Sequence, residues 1–500
     1  MESPQKYGVP KSRIRILSDQ HPAEAGEFVV YWMTTARRAH WNFGLDRAVE
    51  LALSLDRPLL VLEPLRVGYR WASERFHRFI VEGMLDNAGA FAGTNVHYFP
   101  YVEPAPGAGS GLLEALMERA AAMVADDSPG FFLPRMLEAA AARSTVRMEA
   151  VDSNGILPIH TPGRVFHRAY DFRRYLQKEL SPFLFEAPAS SPNLEKLAPP
   201  ITLPAELYKR WPMADLEQLL SDGIAELPID HMVKPGPLVG GPKAAGQHLA
   251  DFVANKLSNY GQDRNRPEGE GTSGLSSYLH FGHISTHEVL HSLAEHEGWS
   301  PWDLGDITSG KRTGWWNLSE PAEAFLDQIV TWRELGFNSA CQQKTPGEEE
   351  RIESLPPWAQ LTLSEHRDDP RPYVYTIDQF ERAETHDDLW NAAQNQLRKE
   401  GRIQNYLRML WGKKILHWSE SPETALAIMT ELNNKYALDG RDPNSSSGIR
   451  WVLGMYDRAW GPERPVFGKI RFMSEANTRR KMRVDAYIER WNGGQATLGL

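Results

Sequence analysis

Cysteine is almost missing from this chain, which has one, Cys341, among 500 residues. A single cysteine excludes an intramolecular disulfide bond and an iron–sulfur cluster held by cysteines. The sequence also has no run of about 20 apolar residues, the length that a membrane-spanning helix needs. Its N-terminal segment MESPQKYGVPKSRIRIL lacks the apolar centre of a signal peptide. We therefore expect a cytoplasmic protein with no membrane segment. We also expect a monomer that holds no metal.

An excess of positive charge is missing as well. Lysine and arginine number 55 against 65 aspartates and glutamates, which gives a net charge of -10. This balance excludes a protein whose whole surface is covered by nucleic acid. A local basic face remains open between residues 469 and 483, which include Lys469 and Arg471. A solvated helix end is the alternative interpretation of that cluster.

Two domains are expected, because 500 residues are too many for one compact core. FVVYWM (28–33), HWNFGLDRAVELALSL and RPLLVLEPL read as strand, helix and strand, the pattern of a parallel sheet. No G-x-G-x-x-G fingerprint follows the first strand, so ordinary dinucleotide binding is unsupported. We predict α/β plus all-α architecture: a doubly wound, Rossmann-like domain over 1–180, an interdomain linker region over 181–245 and a helical domain over 246–500. Further elements predicted in the first domain are helices over 72–90 and 112–124 and strands at 96–99, 130–133 and 148–152.

The stretch from 389 to 451 combines indoles with charged and amide side chains. Its central segment GRIQNYLRMLWGKKILHW has the spacing of a largely buried helix. Trp411 and Trp418 are seven residues apart, which places both on one face, and Trp390 lies on a preceding helix capped by Thr385 or Asp387. Buried Arg408 needs a carboxylate partner, and the loop DGRDPN supplies two. Three core tryptophans are one interpretation, and a site for a polar, conjugated ligand is the other.

Four sequence blocks resemble one family. LWNAAQNQLRKEGRIQNYLRMLWGKKILHW, LNNKYALDGRDPN, ERPVFGKIRFM and TSGLSSYLHFG are similar to the signature blocks of the photolyase/cryptochrome family, closest to class II cyclobutane pyrimidine dimer photolyases. Gapped similarity extends from about residue 28 to about residue 487. The resemblance implies an antenna domain, a helical domain that binds FAD, and damaged DNA as the partner. Many family members hold a deazaflavin or a folate as antenna chromophore, and the sequence does not choose between them or an empty pocket.

The resemblance also implies roles for individual residues. Arg408 and Asp439 resemble the ion pair beneath the flavin ring, Asn433 the asparagine that faces flavin N5, and Asp442 a cofactor contact in the same loop. Trp411, Trp390 and Trp418 resemble a chain that carries electrons to the flavin. The expected contacts to the flavin diphosphate are Tyr260, Thr272, Ser273, Gly274, Leu275 and Ser276. The expected contacts to the lesion and to DNA are Gln328, Trp332, Met409, Trp451, Lys469 and Arg471.

Departures from the family pattern keep other functions open. Gln328 stands where the family usually carries a glutamate, and a glutamine cannot give or take a proton. Gln404, Asn405 and Leu410 replace a histidine, a glycine and a tyrosine. The leading hypothesis is light-driven repair of cyclobutane dimers by a deoxyribodipyrimidine photolyase. The alternatives are a cryptochrome-like photoreceptor, repair of another photoproduct such as the 6-4 lesion, and a non-photochemical flavoprotein or plain nucleic-acid-binding protein.

Overall fold

One mixed sheet forms the centre of the N-terminal part of the chain. The computed structural model describes residues 8–343, 347 and 350–493, so the first seven residues of the segment analysed for a signal peptide lie outside it. Within this part, the strand order is β1-β6-β5-β2-β3-β4. Neighbours among β2 to β6 pair in parallel, and β1 pairs with β6 antiparallel. The strands are β1 Ile14–Ser18, β2 Phe28–Trp32, β3 Leu59–Leu65, β4 Val96–Val102, β5 Ala120–Asp126 and β6 Arg147–Val151.

Helices cover both faces of this sheet. They follow the strands in turn and are α1 Phe43–Leu55, α2 Glu74–Phe91, α3 Leu112–Met117 and α4 Leu133–Ala141. Every residue of β2 and of β5 is buried, as a central strand between two helical layers requires. The predicted doubly wound α/β fold is thus confirmed, with an antiparallel edge strand added.

Two local predictions in this region are wrong, and one strand was missed. The helix predicted over 112–124 ends at Met117, and residues 120–126 form β5. The run AAAMVAD has high helix propensity, but its place between β2 and β6 overrides that preference. The strand predicted over 130–133 is a turn that leads into α4. Strand β1 was not predicted, because no residue of it is fully buried and its sequence signal is weak.

The rest of the described chain is helical, as predicted, and contains no strand beyond Val151. None of its helices is long and apolar enough to cross a lipid bilayer. The helices are α5 Ala169–Glu179, α6 Ala205–Arg210, α7 Leu216–Ser221, α8 Pro242–Asp251, α9 Tyr260–Asp263, α10 Ser276–Phe281, α11 Thr286–Glu297, α12 Glu320–Leu326, α13 Arg333–Cys341, α14 Pro357–Glu365, α15 Ile377–Glu381, α16 Asp388–Glu400, α17 Asn405–Trp418, α18 Pro422–Tyr436, α19 Pro443–Val452, α20 Glu475–Lys481 and α21 Asp485–Asn492.

The chain divides into two compact units. The described residues of Met1–Gly163, Lys178–Val253 and Gly274–Leu304 form the first unit, and those of Arg164–Gln177, Ala254–Ser273 and Gly305–Leu500 form the second. Side chains from the predicted linker region pack into the core of the first unit, among them Leu203, Leu207 and Trp211. The domain limits at residues 180 and 245 stay a prediction.

Candidate active site

Helix α17 carries an arginine whose partner comes from the loop after α18. The Arg408 Nη2 atom lies 2.9 Å from the Asp439 Oδ1 atom. Both side chains are largely buried, at 17% and 14% exposed. A buried guanidinium needs such a partner, and the structure provides the one that the sequence predicted. A small part of each side chain remains exposed.

Asn433, near the end of α18, has a fixed side-chain orientation. Its Nδ2 atom donates to the carbonyl oxygen of Gly440 at 2.9 Å and lies 3.0 Å from the Ser445 Oγ atom. The Oδ1 atom makes no hydrogen bond within the described residues. Asn433 therefore presents one hydrogen-bond acceptor beside the loop that carries Asp439. Asp442 caps α19 by accepting a hydrogen bond from the Asn444 N–H at 2.8 Å.

Gln328 and Trp332 lie on a π-helical turn, Asp327–Trp332, which joins α12 to α13. Such turns widen a helix locally and are frequent at functional sites. The two side chains are four residues apart and both are half-buried. Asp327, which opens the turn, is held by a buried ion pair in which the Arg173 Nη2 atom lies 2.7 Å from Asp327 Oδ1. The sequence predicted the helix but not the turn.

Helix α19 brings Trp451 to the same unit. Gly336 of α13 permits the close approach of the two helices, because a Cβ atom there would lie 2.7 Å from the Asn444 Cα atom. Met409 of α17 has its methyl group 3.9 Å from where a Gly448 Cβ would lie. Met409 and Trp451 are both half-buried. Thus α13 and α17, which carries Met409, both pack against α19, the helix that carries Trp451.

The residues expected to bind the flavin diphosphate divide between the two units. Tyr260, Thr272 and Ser273 belong to the second, and Gly274, Leu275 and Ser276 to the first. The Tyr260 ring lies edge-on to Phe325 at 5.3 Å, and burial raises the pKa of its hydroxyl. Gly274 has φ +69°, a conformation that favours glycine. The predicted helix start is confirmed, since α10 begins at Ser276, and no side chain caps it.

The three predicted tryptophans form a row of buried rings. The centroids of Trp390 and Trp411 are 6.4 Å apart with their planes 5° from parallel. Trp390 also lies 6.2 Å from Trp418, so it stands between the other two. The indole N–H of Trp390 donates a hydrogen bond to the backbone carbonyl oxygen of Trp411 at 3.0 Å. Of the two predicted caps of α16, Asp387 is the correct one: its carboxylate accepts a hydrogen bond from the backbone N–H of Trp390 at 2.9 Å.

The row continues to the surface through residues that the sequence analysis missed. The His386 ring lies 4.8 Å from Trp418 and 3.8 Å from Tyr373. Tyr373 is 47% exposed. The Tyr375 hydroxyl lies 2.7 Å from the His386 Nδ1 atom, and its ring is 5.8 Å from Trp418. The signal available was the motif PYVY, which has two tyrosines shortly before α16.

The predicted basic cluster is only partly free of carboxylates. Lys469 lies 3.0 Å from Glu463, and Arg471 lies 2.9 Å from Asp457. Arg479 pairs with three carboxylates. No ion pair is found within the described residues for three exposed basic side chains, Arg480, Lys481 and Arg483.

One group of carboxylates in the described chain has the spacing of metal ligands: Asp387, Asp388 and Glu475. Arg479 bonds both Asp388 and Glu475, and Lys414 lies 3.2 Å from Asp387. Two cationic side chains therefore already pair with these three carboxylates.

In the first unit, a carboxylate fills the crevice where doubly wound folds bind dinucleotides. That crevice lies between β2 and β5, where the strand order reverses. Asp126, the last residue of β5, accepts hydrogen bonds from the N–H groups of Thr34 and Thr35 at 2.7 Å and of Ala36 at 2.9 Å. A bound phosphate would need such donors. The filled crevice agrees with the missing glycine fingerprint.

Comparison with known proteins assigns the family. The deoxyribodipyrimidine photo-lyase of Methanothermobacter thermautotrophicus is 32% identical over 484 residues, which cover 96% of this chain and 98% of that protein. The chain belongs to the photolyase family. A photolyase of the same name from Oryza sativa subsp. japonica is 32% identical over 494 residues, covering 95% of this chain and 90% of the relative. No protein-family model matches the chain.

A solved photolyase supports the fold. The crystal structure of a class III photolyase from Agrobacterium tumefaciens superposes with a TM-score of 0.66 at 16% identity, covering 95% of this chain and 88% of that one. The predicted family is confirmed, and the relatives support the predicted enzyme class, a FAD-dependent deoxyribodipyrimidine photo-lyase.

The departures from the photolyase pattern have structural roles of their own. Gln404 caps α17, since its Oε1 atom accepts a hydrogen bond from the Leu407 N–H at 3.0 Å. Its Nε2 atom donates to the carbonyl oxygen of Arg264 at 2.7 Å. Leu410 is buried at 2% exposure. These residues stabilise the helix that carries Arg408.

Proposed function

We propose that this chain is a photolyase that binds FAD and uses light to repair pyrimidine dimers in DNA. The observation that carries the proposal is the continuous row Trp411, Trp390 and Trp418, which begins one helical turn from the Arg408–Asp439 ion pair. A light-activated flavoprotein requires an electron path that ends beside its flavin site, and the ion pair is the predicted flavin contact next to this row. The similarity to photolyases over nearly the whole chain supports the same conclusion.

The second unit offers groups that fit a flavin. Asn433 Oδ1 is a hydrogen-bond acceptor without a protein partner in the described chain. It can accept a hydrogen bond from the N5–H group of a reduced flavin ring. Arg408, paired with Asp439, would lie beneath the ring and stabilise negative charge on it. Asp442, Tyr260, Thr272 and Ser273 of the same unit would contact the rest of the cofactor. Gly274, Leu275 and Ser276, of the first unit, stay a prediction from the sequence. Bound and reduced, FAD supplies the electron that light transfers to the substrate.

Four half-buried side chains would hold the lesion. A dimer stacks and pairs poorly, so its extrusion from the duplex costs less than that of normal bases. Trp332 and Trp451 would stack on the extruded bases, at about 1–3 kcal/mol per base. Met409 would contact the dimer between them. Gln328 would hold a base edge through its amide, which is able to donate and accept hydrogen bonds at the same time.

Basic side chains of the same unit would position the DNA backbone. Arg471 and Lys469 are partly exposed although each has a carboxylate neighbour, and Arg480, Lys481 and Arg483 extend the charge. Phosphate contacts of this kind make affinity fall as salt rises. Because such contacts are few and the net charge is -10, DNA would contact only this basic part of the protein surface. The proposal includes a monomer that needs no metal.

An antenna pigment would bind in the first unit. Aromatic rings cluster after β3 and β5, with the Trp71 and Phe131 rings 5.8 Å apart and 27° from parallel. The Arg70 guanidinium lies 4.4 Å from the Trp71 ring. A planar, negatively charged pigment would suit aromatic and arginine groups, and both a deazaflavin and a folate have that character.

A photoreceptor is the second candidate, favoured by Gln328. The family's glutamate is absent, so the residue facing the lesion cannot transfer a proton. A cryptochrome-like protein would keep the tryptophan row and lose repair. A diverged enzyme would repair another photoproduct, such as the 6-4 lesion.

The deciding experiment is a repair assay. Protein photoreduced without oxygen is mixed with an oligonucleotide that carries one cyclobutane thymine dimer, and recovery of absorbance near 260 nm is followed in light and in darkness. Recovery in light alone is the expected result. Absence of recovery by protein that holds FAD and is readily photoreduced would refute dimer repair. The same protein would then be tested on a 6-4 lesion and for light-induced conformational change.

A further inference from the structure

Two consecutive lysines of α17 lie over tryptophan rings in different surroundings. The Lys414 Nζ atom is 4.9 Å from the centroid of Trp418 and 3.2 Å from a carboxylate oxygen of Asp387. The Lys413 Nζ atom is 5.0 Å from the centroid of Trp451. No carboxylate of the described residues lies within 4.0 Å of Lys413. Lys413 is also fully buried, with an exposure of 0%.

A buried ammonium group without a carboxylate is costly, so its few contacts define what it does. Lys413 donates to the carbonyl oxygen of Val452, the residue after Trp451. Gly412 lets the helices approach there, since a Cβ atom at Gly412 would lie 2.7 Å from a Val452 methyl group. One lysine thus contacts both the backbone beside Trp451 and the ring of Trp451.

A second cation contacts the same ring from a more exposed position. The Arg471 guanidinium lies 5.4 Å from the Trp451 centroid, and its side chain is 39% exposed. Asp457 orients it through two hydrogen bonds, at 2.9 and 3.3 Å. Arg471 has a carboxylate partner, Asp457, at 2.9 Å, whereas no carboxylate of the described residues lies within 4.0 Å of the Lys413 ammonium group. Of these two cations, the buried Lys413 therefore holds the Trp451 ring in a more defined position than the partly exposed Arg471.

We propose that Lys413 is a positioning residue for DNA binding: its ammonium group fixes the Trp451 indole from inside the protein, in the orientation that stacks on the extruded dimer. This inference rests on the proposed function of Trp451 as a wall of the lesion site. A tryptophan ring that is free to move loses conformational entropy when substrate binding orders it. Lys413 orders the Trp451 ring before substrate binds, so binding does not bear this entropy cost.

The protonation state of Lys413 provides a readout that packing alone would not change. Burial lowers the pKa of Lys413 to about 7, Asp457 acts in the opposite direction, and Arg471 lowers it further. The ammonium form is therefore present below about pH 7 and lost as the pH rises above it. The neutral amine still donates to Val452 but no longer attracts the ring.

The test compares Lys413→Met and Lys413→Gln with the wild type. Dissociation constants for dimer-containing DNA are measured from pH 6 to pH 9, with undamaged DNA alongside. A cation–π contact in a desolvated site corresponds to roughly tenfold or more in an equilibrium constant. We expect Lys413→Met to weaken dimer binding about tenfold at pH 6 and by less at pH 9. The dissociation constant of Lys413→Gln, which keeps a hydrogen-bond donor, should lie between those of Lys413→Met and the wild type.

A matched control is Lys435→Met. Lys435 lies 5.4 Å from the ring of Tyr436 and pairs with Glu381, so it is a cation over a ring that belongs to neither the lesion site nor the tryptophan row. This variant should bind the dimer as the wild type does. In Lys413→Met, flavin photoreduction should stay unchanged, because Lys413 contacts no ring of the tryptophan row and acts on DNA binding.

Equal dimer affinity of Lys413→Met and wild type at every pH would overturn the inference. If Lys413→Met did not fold, Lys413→Gln and the pH dependence of the wild type would decide in the same way. A wild type that neither binds nor repairs dimers would instead refute the proposed function. The two failures are therefore distinguishable in one set of titrations.

Discussion

Replacing Asp439 tests the flavin site most directly. Asp439→Asn keeps the shape of the side chain and removes the charge that Arg408 pairs with at 2.9 Å. Breaking a fully buried ion pair costs about 3–5 kcal/mol, whereas an exposed pair contributes about 0–1 kcal/mol. The two side chains are 17% and 14% exposed, so the cost lies between these limits, at about 2 kcal/mol.

This cost should appear mainly as weaker flavin binding. On the proposed function, a bound flavin would cover the pair and remove its remaining contact with water, which would make the unpaired guanidinium less tolerable in the holoprotein than in the apoprotein. About 2 kcal/mol corresponds to a roughly 30-fold larger dissociation constant. Apoprotein would be titrated with FAD, and the fluorescence of the flavin would be followed.

The control for this prediction is Glu384→Gln. Glu384 pairs with Arg382 on the surface, where the side chains are 52% and 55% exposed. That variant should bind FAD as the wild type does. An Asp439→Asn protein with wild-type FAD affinity would show that the ion pair lies outside the flavin site.

Three other substitutions test the electron row, the lesion contact and the helix packing. Trp411→Phe should retain FAD but slow its light-driven reduction several-fold. The control Trp302→Phe, at an 83% exposed position, should be reduced at the wild-type rate. Equal rates in the two variants would remove the tryptophan row from the mechanism. Gln328→Glu should raise the yield of dimer repair per absorbed photon, and a loss would contradict the role given to that position. Gly336→Ala forces α13 away from Asn444 and should lower the free energy of unfolding by about 1–3 kcal/mol, measured by urea denaturation. Gly246→Ala, where nothing lies near the new methyl group, should be neutral or stabilise by up to about 1 kcal/mol.

The sequence motifs were sufficient to find most of the candidate residues. Arg408 could be paired with the DGRDPN loop because a buried arginine requires a carboxylate, and Asp439 is the partner in the structure. The cap of the helix that carries Trp390 was limited to two residues, of which Asp387 is correct. Lys413 was missed although it lies three residues from buried Leu410 and Leu416, because a lysine is normally expected on the solvent side of a helix.

Local sequence determined the elements whose preferences agree with their surroundings, such as β2, β3, α16 and α17. It also determined the family, because the signature blocks occur in a fixed order. Tertiary structure alone decided that AAAMVAD is a central strand, since burial on both faces outweighs helix propensity. It decided the spatial order Trp411, Trp390, Trp418, which differs from their order in the chain. It also placed Lys413 over Trp451, because contacts between helices distant in sequence depend on how the helices pack, which no local pattern records.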